Sequence, residues 1–448
     1  MPNFLSREQA QELAGRVLAF STADEARVNI SSGEEGNTRF AVNQISTAGD
    51  VTDATATVTS AFGRRIASAT TNRFDDESLR RVVQTSEQLA RLSPENPEYL
   101  GELGEQTYVG GDSLVESTAE LTPDRRAEIV VAVTAPAAER NLLSTGFLLH
   151  RTGSTAVATS RGLFAYNADS RLNFTTTVRT PDGTGSGWAG IGLNDVDQLE
   201  AGDIGMRAIR KAELSRDPRA VEPGRWTVVM EPTAVANMVG LMMGQLNARP
   251  ADEGRSFFAK PGGGNRIGEQ FLDERVTIWS DPADPRLFTT PFTGEGLPNR
   301  REVWVENGTL RTLSYDRFWA QREEREPTGF AAGYYMEGGD ASTDEMIAST
   351  ERGLLLTRFW YIRGVDPRTI LFTGLTRDGT FLIEDGRVTT PVKNMRWNES
   401  PIFMLNNIEM MGAPVRVSPS ESSGLASATV VPPLKVRDFN FTSLSDAV

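Results

Sequence analysis

The chain has no cysteine and a single histidine, His150, among 448 residues. Neither a disulfide nor a thiolate-zinc staple is available, so burial and hydrogen bonding alone must hold the fold, and a chain this long can supply them. The same inventory removes reaction classes. Nitrogen bases, thiolate nucleophiles and transition-metal ligands are drawn mostly from these two residue types, so no ordinary zinc, Cys/His or di-histidine site can be assembled. His150 closes the apolar run Gly146-Phe147-Leu148-Leu149-His150, and no G-x-S-x-G elbow occurs anywhere. It reads as a strand or core-edge residue, not as the base of a Ser-His-carboxylate triad.

Lys and Arg total 46 against 60 Asp and Glu, a formal charge of -14. With no basic run, this argues against a nucleic-acid or anionic-membrane surface. No basic segment followed by an apolar one opens the chain, and no stretch nears the roughly 20 apolar residues of a spanning helix, so a cytoplasmic protein is expected.

Periodicity and punctuation predict an α+β protein in two parts. The first, residues 1–218, reads as an antiparallel sheet with packed helices. Ser6 and Gln9 form a capping box for a helix with Leu13, Ala14, Val17 and Leu18 on one face. Alternating segments at Ala26–Ile30 and Thr38–Ile45 flank Ser31–Gly36, which reads as a turn, and a Thr/Ala/Val stretch follows from Val51 to Thr70. Helices are predicted over Asp75–Leu92, with Leu79, Val82, Val83, Leu89 and Ala90 in register, from Thr122-Pro123 to about Arg140, and over Asp195–Leu214; strands fill Leu142–Val178. The proline- and charge-rich Ser215–Gly224 marks the boundary. Residues 219–448 read as mainly antiparallel β with one buried helix, starting from the strand Arg225–Met230. Asn307-Gly308, Asp378-Gly379 and Asp385-Gly386 are read as hairpin turns.

Three apparent motifs fail on chemistry. Gly185-Ser186-Gly187-Trp188-Ala189-Gly190 has the G-x-G-x-x-G spacing, but a proline linker follows where the ribose carboxylate should come. Gly263–Gly268 has phosphate-loop spacing with Glu269 in place of lysine, so it is a glycine loop. Asp378, Glu384 and Asp385 are candidates for a carboxylate pair or hard-metal site, and solvated turn positions explain them as well. The window Ala236–Leu246 is apolar on nearly every face, which implies burial between layers, and Gly240 and Gly244 would admit another backbone.

The order of these signals resembles the TldD/PmbA family, also called the modulator-of-DNA-gyrase family, over most of the chain. The resemblance is carried by Thr38–Asn43, Ser160-Arg161-Gly162, Asp182–Trp188, Gly224–Pro232, Glu295-Gly296-Leu297-Pro298, Val305–Gly308, and Phe381–Gly386 with Pro391-Val392. It implies a zinc metallopeptidase fold whose active members carry H-E-x-x-x-H on the helix after the second-domain strand and a cysteine further on. There the histidines hold Zn²⁺ and the glutamate acts as base on its water. This chain has none of those ligands and so resembles the TldE/PmbA-like branch. On that resemblance the former metal helix, Met238, Val239, Gly240, Leu241, Met242 and Met243, has become core, and no residue here is catalytic or binds metal. Zinc is expected only in a TldD-like partner subunit, with which a heterodimer would enclose unfolded peptide; Glu295, Arg377 and Asp378 are the candidate chamber-lining residues. Two alternatives stand beside this: a stand-alone homo-oligomer, such as a homodimer, that binds peptides along strand edges, and a metal-independent hydrolase using the turn carboxylates.

Overall fold

Helices cover one face of a six-stranded antiparallel sheet, and alternation along the strands dictates which face. The computed structural model describes residues 4–111, 113–329, 333–418 and 428–445. The strands are β1 (Glu25–Ala41), β2 (Gln44–Phe62), β3 (Arg65–Thr71), β4 (Leu143–Thr159), β5 (Phe164–Arg179) and β6 (Ser186–Leu193), ordered β3-β2-β1-β4-β5-β6. Val28, Ile30 and Phe40 of β1, Val58 of β2, Leu148 and Ala156 of β4 and Phe174 of β5 are all buried at even-numbered positions, hence on one side. They pack under α1 (Arg7–Phe20), α2 (Asp76–Leu92), α3 (Pro123–Glu139) and α4 (Ala201–Leu214).

The helix starts follow the sequence. The Ser6 hydroxyl accepts from Gln9 N–H (3.3 Å) while the Gln9 side chain accepts from Ser6 N–H (2.9 Å). Asp75 caps α2 and Thr122 caps α3, each accepting a backbone N–H three residues on. Leu89 departs from the reading: it lies off the buried stripe, 46% exposed.

Ser31–Gly36 is not a turn. β1 runs through it without a break, and the reversal comes at Val42-Asn43, both at positive φ. The glycines are there for close approach: a Cβ on Gly33 would stand 2.6 Å from the Thr152 carbonyl oxygen, and one on Gly36 would strike His150 and Arg126.

The opposite, odd-numbered face is richer in polar residues, and the second half of the chain sits on it, with Phe292 against Val157 and Ala165. Asn29 Nδ2 donates to the Gly294 carbonyl (2.7 Å), the Ser418 hydroxyl donates to Asn173 Oδ1 (2.7 Å), and the Tyr108 hydroxyl donates to the Gly296 carbonyl (2.8 Å).

In that second half, β7 (Gly224–Met230), β8 (Arg352–Asp366), β9 (Leu371–Glu384), β10 (Met395–Glu399) and β11 (Leu434–Leu444) pair in a ring. β7 runs parallel to β8; β8–β9, β9–β10, β10–β11 and β11–β7 are antiparallel, which closes a five-stranded barrel. Phe359, Trp397, Phe439 and Phe441, contributed by three strands, stack in its core with ring centroids 4.8–6.0 Å apart. A smaller mixed sheet that includes Ile278–Ser280 and Glu302–Glu306 packs nearby. Among the described residues no helix is long and apolar enough to cross a membrane.

Candidate functional site

Helix α5 (Pro232–Met243) leaves the end of β7 with Pro232 in its first turn, where the missing N–H costs nothing. Residues 233–239, Met242 and Met243 are buried, whereas Gly240 and Leu241 are half-buried. The helix packs against β8, the helix Pro401–Asn406 and the edge of the small sheet. No backbone slides along its glycines: the Tyr334 hydroxyl lies beside Gly240 and donates to the Ala236 carbonyl (3.4 Å), and Gly244 is the exposed C-cap.

A structural or catalytic zinc needs three or four N, S or O ligands converging at about 2.0–2.3 Å. Residues 232–246 contain no His, Cys, Asp or Glu. The Asn237 Oδ1 accepts from the Phe359 backbone N–H, and Glu231 at the N-cap is paired with Lys211 at 2.6 Å. The residues present do not fit the metal, and among the described residues no group of three His, Cys, Asp or Glu side chains could hold one.

His150 lies in the other sheet, on β4. Burial, then the charge of Arg126, push its pKa down to about 4, so the imidazole is neutral at physiological pH. Arg126, itself buried, grips Asp50 with two guanidinium nitrogens (2.6 and 3.0 Å), and the carboxyl titrates below its ordinary value because of that bond. Among the described residues no hydroxyl is bonded to the imidazole, and Arg126 with Asp50 ties α3 to the sheet.

Asp378 corrects the sequence reading. Asp378-Gly379 is not a hairpin turn but a β-bulge inside β9, where both residues, at positive φ, oppose Thr357 of β8. The Thr357 hydroxyl lies 2.9–3.2 Å from the carbonyls of Arg377, Asp378 and Gly379. A bulge re-aims a side chain, and here it turns Asp378 into the protein. Its carboxylate accepts from Arg358 Nε (2.8 Å) and Nη2 and from the Ser186 hydroxyl of β6, which joins the barrel to the first sheet. Burial alone would raise this carboxyl; Arg358 and the hydrogen bonds outweigh it, and the group titrates below its ordinary value. The Arg358 guanidinium lies 5.0 Å from the ring of Trp188 and 5.1 Å from that of Trp360.

Two cavities meet at Asp378. One, about 550 Å³, is lined by Asp182, Ser186, Ser215, Asp217 and Lys393 among others. The second, about 340 Å³, is lined by Thr145, Thr177, Arg179, Arg358, Trp360 and Arg377.

Of the three candidate lining residues, Arg377 and Asp378 stand together, with Arg377 Nε 3.8 Å from the carboxylate. Glu295 is elsewhere, in the turn Thr293–Leu297, paired with Arg317 at 3.2 Å. The candidate carboxylate grouping does not form: Glu384 accepts from the Thr389 hydroxyl at the far end of β9, about 20 Å along the strand from Asp378. Asp385-Gly386 and Asn307-Gly308 are the hairpin turns expected.

The glycine motifs have structural uses. Gly187 lies in β6 beneath α4, where a Cβ would collide with the Ala208 carbonyl, so the spacing serves helix-on-strand packing. Glu269 pairs with Lys260 across the glycine loop (3.1 Å). Sequence reasoning missed Arg179, Arg358, Ser186, Trp188 and Trp360. The one available signal was an arginine in the mostly apolar run Leu354-Leu355-Leu356-Thr357-Arg358-Phe359.

Sheet, barrel and buried helix together define an α+β architecture shared with solved proteins. TldE from Thermococcus kodakarensis superposes with a TM-score of 0.82 over 97% of this chain and 99% of that one, at 18% identity. A protein described as a modulator of a DNA gyrase from Thermotoga maritima gives 0.81 over 97% and 100%, at 19% identity. Likeness at such identities concerns the fold. The sequence models of the PmbA/TldA metallopeptidase domain 1, central domain and C-terminal domain match residues 26–90, 116–216 and 223–443. The chain belongs to the PmbA/TldD metallopeptidase-related family. Relatives include a metalloprotease of Methanothermobacter thermautotrophicus, 25% identical over 59% of this chain and 61% of that protein. A zinc metalloprotease TldD homolog of Saccharolobus solfataricus is 25% identical over 48% of this chain and 49% of its own length. The matched stretch thus spans less than two thirds of either relative.

Proposed function

We propose that this chain is the non-catalytic, TldE-like subunit of a two-component cytoplasmic zinc peptidase. It pairs with a TldD-like relative that carries the metal and helps confine unfolded peptides, and its two parts divide near residue 218. The observation that carries the reading is α5: where a metallopeptidase of this family would need ligands and an open coordination position, Met238, Val239, Met242 and Met243 fill the space as core. A family fold with no ligand set keeps its usefulness by completing an assembly, and a paralogue of like architecture is its natural complement. Purified alone, the chain is expected to carry no stoichiometric zinc and to cleave no unfolded peptide. Co-expressed with the same organism's H-E-x-x-x-H paralogue, it should co-elute at 1:1 on size-exclusion chromatography, with cleavage that needs both chains. A paralogue fully active alone and never co-eluting sinks the reading and leaves the stand-alone peptide binder.

A further inference from the structure

We propose that the outer edge of β2 is the contact surface for a second copy of this chain, which adds its own β2 antiparallel across a two-fold axis at Gly49. β1 pairs with β2 from Gln44 to Ala61, whereas β3 covers the other side of β2 only over Ala56–Phe62. Among the described residues no strand pairs with the rest of that edge, Gln44–Thr55, about 40 Å of backbone. Its even-numbered residues aim their N–H and C=O groups outwards. Phe62, which closes the two-residue turn at Gly63-Arg64, fixes that phase, and the Ala54 N–H, with no strand to bond, turns to the Asp53 side chain (2.9 Å). Lys or Pro commonly blunts such an edge, and Gln44–Thr55 has neither. The edge is also held in place before any contact, since Arg126 of α3 grips Asp50 and β4 backs β1.

The segment is complementary to itself. With Gly49 facing Gly49 across the axis, Ala48 stands opposite Asp50 and Thr47 opposite Val51; beyond the bulge at Ser46, Ile45 meets Thr52 and Gln44 meets Asp53. The faces agree, because the bulge puts Ile45 opposite Phe40 and so on the helix-covered face, where Thr52 also lies. No two carboxylates come opposite one another, as they would with the axis at Asp50. Val51, 62% exposed, gains a β-branched neighbour, and the partner's turn at Val42-Asn43 falls beside Ala54 and Thr55, short of where β3 begins to pair. Nothing in its own chain calls for Gly49: its φ is not positive, and no atom lies within 4 Å of where a Cβ would stand. A strand glycine of that kind marks the close approach of another backbone.

The chain has no cysteine, so a single one reports on the axis. Gly49→Cys, in the full chain purified without a partner, is expected to oxidise to a disulfide-linked dimer: its residues turn their backbone bonds to β1, a pair of that kind brings Cα atoms to about 4.5 Å, and a disulfide needs them within about 7 Å. Val51→Cys, whose two copies would stand about 14 Å apart, should run as a monomer on non-reducing denaturing gels. Sedimentation velocity should show the wild type in a concentration-dependent equilibrium between monomer and dimer. Ala48→Glu sets a carboxylate opposite Asp50 twice per dimer, and should raise the dissociation constant about tenfold or more while leaving the melting temperature within a few degrees. A wild type that stays monomeric throughout overturns the proposal, as does a dimer that Gly49→Cys fails to trap or that Val51→Cys traps equally well. A folded Ala48→Glu variant that dimerises like wild type does the same. No paralogue is present, so the outcome is independent of the function proposed above.

Discussion

Glu399 ends β10 with its carboxyl group buried, where one oxygen accepts from Ser400 N–H (2.8 Å) and the other from Asn440 N–H (3.1 Å). Burial wins over these bonds and over the nearby Arg225, pushing the pKa up from 4.5 to about 7. Between those two values the folded chain keeps a proton that the unfolded chain has released. Stability therefore falls as the pH rises from 4.5 to about 7, and the loss is complete above that, worth roughly 3 kcal/mol. Glu399→Gln should flatten this slope, raising the melting temperature at pH 8 and leaving it nearly unchanged at pH 4.5. A variant that melts lower than wild type at pH 8 would show that Arg225 holds the carboxylate charged. Nothing in the sequence marks Glu399, because its environment is assembled from residues 41 positions apart. Asp378 shows the opposite case. Its Asp-Gly pair was legible as a positive-φ position, and that is correct, but whether such a pair reverses a chain or bulges a strand depends on the partner strand, which local sequence does not contain.

At the scale of elements, capping chemistry and 3.6-residue periodicity were legible because both act within a turn or two. Ser6, Asp75 and Thr122 each cap where the sequence places them. Strand lengths were less so: Ser31–Gly36 has turn composition, yet its glycines are needed by neighbours across the sheet. Helix α5 was readable as buried from its composition, though not evenly. Val239 is fully buried, while Leu241 is half-buried, which separates two substitutions that composition alone treats alike. An unpaired carboxylate at a buried position costs several kcal/mol against a total stability of about 5–15. Val239→Asp is expected to abolish cooperative unfolding or drive the protein into aggregates, whereas Leu241→Asp should leave a folded protein with a reduced melting temperature. Circular dichroism melts of both variants decide it, and a Val239→Asp protein that melts like wild type would mean that α5 is accessible to water.

For the whole molecule, the α+β class was legible from the alternation of signals along the chain, and the missing metal ligands from a simple count. The Arg-lined cavity was not, since Arg179, Arg358 and Arg377 come from two strands of the barrel and one of the sheet. Nor was closure of the barrel, which depends on pairings between the strand at residues 224–230 and strands more than a hundred residues later. That closure has a consequence for biosynthesis. β7 emerges from the ribosome about 200 residues before β11, a wait of roughly 10–40 s at ordinary elongation rates. Through that interval the edge of β7 that β11 will cover has backbone donors and acceptors with no partner, the condition that invites pairing with the wrong strand. A nascent chain stalled before residue 434 should therefore be held by chaperones or digested by protease in its second half, while the first sheet, whose strands are all complete by residue 193, already resists. The strand that seals the ring is made after the other four, so the latter half of this protein stays open to misassembly until residues 434–444 have been synthesised.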